Sequence, residues 1–161
     1  MVVSKSLETI NRPLGSNTEN LFFAQLFQPN NTSSLDERYV NAKKYQKILQ
    51  DNEDIKGVAL GHSPITARQT ANSLTDVEGN STIFFPSQGV GVEYFDLVGT
   101  KILAGRTFSE QAVRGETNEM LVSLSVAKWL LPNQDHTNII GQNYRGLQDN
   151  MYEIIGITED F

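Results

Sequence analysis

Gly105-Arg106 has the most evident chemical reach in the chain, because glycine frees the backbone and the arginine after it can present a planar guanidinium to an anion. The plainer reading is preferred: the glycine permits a turn and the arginine caps or pairs locally. His62 and His136 are the only histidines, far apart and without Glu, Asp or a further His at metal-ligand spacing, so no zinc or iron site is expected. Asp51, Glu53 and Asp54 crowd three carboxylates together but lack the spaced oxygen ligands and distal Glu of a calcium loop; a helix-end surface explains them. Gly89-Val90-Gly91 has no strand-to-helix setting, and no phosphate-loop lysine signature occurs, so nucleotide binding has no carrier. Ser123 and Ser125 flank a strand-to-helix junction without the Gly-x-Ser-x-Gly frame of a nucleophile elbow, and capping accounts for them better. Carboxylate pairs could be drawn from the 19 acids, but the sequence marks none. No catalytic, cofactor-binding or metal-ligating residue is therefore assigned, and Trp129, Leu130 and Leu131 are read as packing a short helix into the core.

The totals agree with a packed globular domain. A chain of 161 residues, 39% apolar and 20% charged, with mean hydropathy −0.34, has the composition of a globular chain. A net charge of −6 and a pI near 4.9, with no local cluster of Lys and Arg, exclude the positive field that holds nucleic-acid phosphates. With no cysteine there are neither disulfides nor thiolate sites, and the core must come from hydrophobic packing. No apolar run approaches the roughly 20 residues of a membrane helix, and the first residues lack the basic flank and apolar run of a signal peptide, so the stretch is expected to be soluble.

The elements follow from periodicity and punctuation. Leu21, Phe22, Phe23, Ala24, Leu26 and Phe27 predict a buried central strand ended by Pro29. Ser34 and Glu37 have capping-box spacing, and the helix they open carries Leu35, Tyr39, Ala42, Tyr45 and Leu49 as one stripe that Gln46 interrupts. Residues 55–60 read as a second strand, giving a strand-helix-strand unit. Residues 61–80 read as a connection and the boundary between two lobes. Beyond it, short strands are expected at 82–86, 101–104 and 120–124, with short helices at 92–98, after Ser109, and after Ser125 as N-cap up to Pro132. Residues 138–147 and 151–158 form an antiparallel pair around the turn residues Gln148, Asp149 and Asn150.

Tyr94-Phe95, Gly105-Arg106, Phe108, Val126-Ala127, Gly141 and Ile155-Gly156, in that order and spacing, resemble the MacB-type periplasmic core domain that FtsX-like ABC-transporter permeases carry between their first two membrane helices. The resemblance implies an α+β fold of two small lobes: a partial, porter-like β-α-β lobe over 1–63 and a sabre-like lobe of mixed strands and short helices over 64–161. Gly61 and Pro64 would lie at the hinge. In the family a further strand, helix and strand complete the first lobe, and here they would lie beyond residue 161. That lobe is therefore expected to be incomplete, and either mobile or paired with a second copy through its open edge or the uncovered helix stripe. The resemblance further implies the periplasmic or extracellular face of a bacterial cytoplasmic membrane, no catalysis and no cofactor. Its role would be to couple ATP-driven membrane motion to substrate export or to a partner protein. The implied partners are the transporter's ATP-binding subunit or domain and a periplasmic adaptor or lipoprotein. Two rival readings are a stand-alone carbohydrate- or peptide-binding domain, with Tyr144 or Tyr152 lining a concave face, and a hydrolase using acidic residues.

Overall fold

The computed structural model describes residues 20–24, 34–61, 70–75, 79 and 81–160. Helix α1 (Leu35–Gln50) starts where the capping box places it: Glu37 N donates to Ser34 Oγ at 3.2 Å and Ser34 N to Glu37 Oε2 at 3.0 Å, satisfying two of the free amides of the first turn. Its inward face differs from the expected stripe. Tyr39, Ala42 and Lys43 are half-buried and Gln46 is only 3% exposed, whereas Tyr45 and Leu49 are exposed along with Val40 and Ile48. The physical reason is what the helix meets. Gln46 Nε2 donates to Val58 O at 2.9 Å, and Lys43 meets carboxylates, so polar side chains face inward.

The two strands expected beside α1 do not form among the described residues. Leu21–Ala24 carries no strand, with Phe22 91% exposed and Phe23 also open; residues 25–28 of that expectation lie outside the described residues. Residues 55–60 are likewise not a strand. Apolar β-formers are insufficient without a ladder. Here the Val58 carbonyl is taken by a side chain and the Leu60 carbonyl by a single amide, Gly91 N at 2.7 Å.

Strand β1 (Thr70–Thr75) lies inside the stretch expected to be a connection and pairs antiparallel with β2 (Thr82–Ser87), from Thr70↔Ser87 to Thr75↔Thr82. Little in Thr-Ala-Asn-Ser-Leu-Thr signals a strand; burial of Leu74 overrides its weak propensity. Pro86 sits in β2, whose far side has no strand partner among the described residues, as an edge proline must. After α2 (Tyr94–Val98), closed by Gly99 at φ 74°, come β3 (Ile102–Gly105), α3 (Glu110–Val113), β4 (Glu119–Ser123) and α4 (Leu124–Leu130). The N-cap of α4 is Ser123, not Ser125. Ser125 instead donates through N and Oγ to the Asp160 carboxylate at 2.9 and 2.7 Å.

A 3₁₀ turn (His136–Ile139) replaces the first part of the strand expected from 138, leaving β5 as Asn143–Arg145. The hairpin to β6 (Met151–Thr158) turns through Gln148 and Asp149, at φ 58° and 60°, the left-handed pair that matches strand twist. Strand β6 is the axis of the second sheet. Antiparallel β5 and β3 pair with its first and last thirds along one side, and parallel β4 runs along the other. A bridge between Leu74 and Gly146 attaches the β1–β2 hairpin. Residues 154–158 of β6 are buried without interruption, as a strand covered on both faces must be. Leu74, Val122, Ala127, Leu130, Tyr144, Ile154 and Ile157 form the main core. A smaller cluster gathers Tyr94, Phe95 and Val98 with Leu21, Ala59, Val90, Phe108 and Leu121.

Candidate functional site

A half-open cleft of 740 Å³ lies between α1 and the rest of the fold. Tyr39 and Ala42 of α1 form one wall; Phe85 of β2, Val113 of α3, and Met120 and Val122 of β4 contribute to the others. Its walls are mostly apolar, and Arg38, Arg114 and Glu119 also line it.

A charge cluster built from three elements closes one side. Lys43 Nζ stands 3.3 Å from Glu93 Oε1, at the N-cap of α2, and 3.5 Å from Glu110 Oε1 at the start of α3. Tyr39 donates its phenol O–H to Glu110 Oε2, and the Arg114 guanidinium carbon lies 5.2 Å from the centre of the Tyr39 ring, a cation–π contact. Burial works against the ammonium form of Lys43, yet the hydrogen bond to Glu93 and the two carboxylates outweigh it and hold its pKa above the ordinary value. The hydrogen bond to Glu110 raises the Tyr39 phenol in the same way. None of this was legible in the sequence, since these partners stand 50 and 71 positions apart with no local pattern linking them.

Arg106 pairs structurally, as the plainer reading holds, and its partner is Glu119. Nη1 reaches Oε2 at 3.1 Å and Nη2 reaches Oε1 at 2.9 Å, a two-pronged fit. Ser109 completes the carboxylate's shell through N and Oγ, both at 2.9 Å, so each oxygen accepts twice. The Arg106 hydrogen bonds, helped by Ser109 and opposed by burial, hold the Glu119 carboxyl below its usual range.

The other residues singled out in the sequence fall in three places. Tyr94 and Phe95 pack edge to face at 5.7 Å between ring centres, with Phe108 6.2 Å from Phe95, in the smaller cluster. Gly105 and Gly156 face each other across β3 and β6; a Cβ on Gly105 (φ 82°) would stand 2.3 Å from Ile155 O, and one on Gly156 2.8 Å from Ala104 O. Gly141, also at φ 82°, has open space around it and donates to Ile154 O at 2.8 Å. Gly61 lies where a Cβ would meet the Tyr94 ring at 2.7 Å. Pro64 and His62 lie outside the described residues. Tyr144 is buried, which removes it from any binding face, whereas Tyr152 lines the cleft. Among the described residues no three His, Asp or Glu side chains gather closely enough to hold a metal ion.

The family profile of the MacB-like periplasmic core domain matches residues 1–161. No curated protein sequence matches the chain. Among solved structures, the periplasmic region of MacB from Actinobacillus actinomycetemcomitans aligns with a TM-score of 0.56 at 20% identity, covering 73% of this chain and 50% of that one. The extracellular domain of the noncanonic ABC-type transporter YknZ from Gram-positive bacteria aligns with a TM-score of 0.55 at 14% identity, covering 73% and 57%. The chain thus spans about half the length of these structures, and at such identities the likeness is one of fold. With the profile covering every residue, the chain belongs to the MacB-like periplasmic core domain family.

Proposed function

We propose that the chain relays ATP-driven motion of a membrane permease to an extracytoplasmic substrate or partner protein, without catalysing a reaction itself. Membership makes it a periplasmic domain of a MacB-like ABC-transporter permease. The observation that carries the relay is a contrast in how its parts are joined. The sheet around β6 is sealed by a continuous apolar core and by the Arg106–Glu119 clamp, so it moves as one body. Helix α1 is joined to that body in good part by polar side-chain ends, Lys43 meeting Glu93 and Glu110. One rigid body and one loosely attached arm are the parts a shear or hinge motion needs.

In this reading the division falls between residues 1–63 and 64–161, with Gly61 at the pivot. The motive partner is the transporter's ATP-binding subunit or domain. A periplasmic adaptor or lipoprotein, or a second copy of the domain, receives the motion.

The test uses the reconstituted transporter that contains this domain. The chain's lack of cysteine makes Tyr39→Cys with Glu110→Cys a clean pair, to be bridged by a reducible bifunctional thiosulfonate. The bridged protein should turn over ATP several-fold more slowly, with recovery on reduction. Unchanged turnover at complete bridging refutes the relay.

A further inference from the structure

We infer that α1 is a lid over the apolar cleft, held shut by a charge latch centred on Lys43 and released when that latch is screened or broken. The inference deepens the relay reading and rests on it for its consequence, but not for its test.

The lid itself is visible in the wall assignments. Tyr39 and Ala42 of α1 cover a cleft whose other walls include Phe85, Val113, Met120 and Val122, so moving α1 outward exposes mostly apolar surface. Charge pairs add to this apolar contact in holding α1 down. Val40, Ile48 and Leu49 point to water, while the inward positions among the residues whose burial is described are Tyr39, Ala42, Lys43 and Gln46. Gln46 is bonded to Val58, in the segment that follows α1 in the chain, and its amide also acts on the Glu93 carboxylate. Lys43 against Glu93 and Glu110, Tyr39 against Glu110, and Arg114 over the Tyr39 ring tie α1 to the rest of the fold. Such pairs, partly open to water, are weak singly and weaken further with salt.

The shut state also carries a polar cost. Glu93 Oε2 is shielded from water and has no hydrogen-bond partner of good geometry among the described residues. Opening returns that oxygen to water. A latch of screenable pairs on one side and an unsatisfied carboxylate oxygen on the same side, with the segment after α1 anchored by the Leu60–Gly91 backbone bond and by Ala59 in the smaller cluster, make a two-state lid.

The test is a distance measurement on the isolated chain. Spin labels at Lys47→Cys on α1 and Lys128→Cys on α4, both exposed, report the gap by double electron–electron resonance. At low salt one short distance should dominate, and at about 1 M NaCl, where screening acts within about 3 Å, a longer distance should at least double its share. Lys43→Met should show the longer distance at every salt concentration. Glu110→Lys, which sets like charges face to face, should be open at low salt and close partly as salt rises, a reversal that simple destabilisation does not produce. Fluorescence of the single tryptophan, Trp129, checks that the core of each variant is folded, and if Lys43→Met fails that check the salt series on the unsubstituted chain decides alone. A single distance that ignores salt, or a Glu110→Lys variant that opens further with salt, overturns the latch. That outcome leaves the relay standing, whereas ATP turnover indifferent to the bridged 39–110 pair sinks the relay and leaves the latch.

Discussion

Glu119 ties three stretches of chain through one carboxylate: its own strand, the arginine after β3 and the serine that caps α3. Its side chain is 7% exposed while that of Arg106 is 52% exposed, so the pair is worth less than a fully buried one. Arg106→Met is expected to cost about 1–3 kcal/mol, chiefly by leaving the Glu119 carboxylate short of donors; denaturant melts measure it. The carboxyl's folded pKa is depressed, so its contribution is present above the unfolded value and is lost as pH falls through the folded one. The gap in melting temperature between the unsubstituted chain and Glu119→Gln should therefore be full at neutral pH and narrow in acid; a gap that widens in acid contradicts the assignment. Gly141 and Gly105, both left-handed at φ 82°, separate strain from crowding. Gly141→Ala meets only the conformational penalty, about 1–2 kcal/mol, whereas Gly105→Ala adds a clash with the β6 backbone and should cost clearly more. Equal losses in thermal melts would remove the crowding argument.

At the scale of elements, the sequence was legible where a local rule suffices. The Ser34–Glu37 capping box, the turn at Gln148 and Asp149, the short strands at 82–87, 102–105 and 119–123 and the edge position of Pro86 all follow from residue types at short range. Long-range contacts decided the rest. Strand β1 exists because Leu74 reaches the core and bridges to Gly146, neither of which a run of Thr, Ala, Asn and Ser reveals. Conversely, Phe22, Phe23, Val58 and Leu60 have strand-like side chains but no ladder in the structure described. The site shows the same division. Gly105, Arg106 and the Tyr94–Phe95–Phe108 cluster stood out by residue type, while Lys43, Glu93, Glu110 and Glu119 appear as ordinary surface charges until the fold gathers them. Gln46 is the instructive misreading, taken as a break in an apolar stripe and found as the most buried residue of α1 among those whose burial is described. Gln46→Ala leaves Val58 O without its donor, a loss of about 1–3 kcal/mol. Amide exchange of residues 37–50 should quicken while that of residues 154–158 stays as it was; equal acceleration of both segments would show that α1 belongs to the main cooperative unit.

Across the whole molecule, stability should be graded because its two modes of attachment are unequal. The sheet buries a continuous apolar interior around β6, and hydrophobic burial of that kind sets the global unfolding free energy. The arm is held by groups whose attraction is offset by desolvation and weakened by salt, so it opens at a smaller free energy than the sheet. Native-state hydrogen exchange resolves the two. Amides of residues 154–158 should exchange only through global unfolding, with strong denaturant dependence, while those of residues 37–50 exchange through a smaller opening with weak denaturant dependence and faster rates in salt. Ile157→Ala, which empties a fully buried position, should cost about 2–5 kcal/mol and accelerate the slowest amides without changing the opening of α1. Tyr39→Phe, which deletes one hydroxyl from the latch, should do the converse. If both substitutions shift both groups of amides together, the chain unfolds as one unit, and a domain that can open only by unfolding cannot pass motion from one part to another.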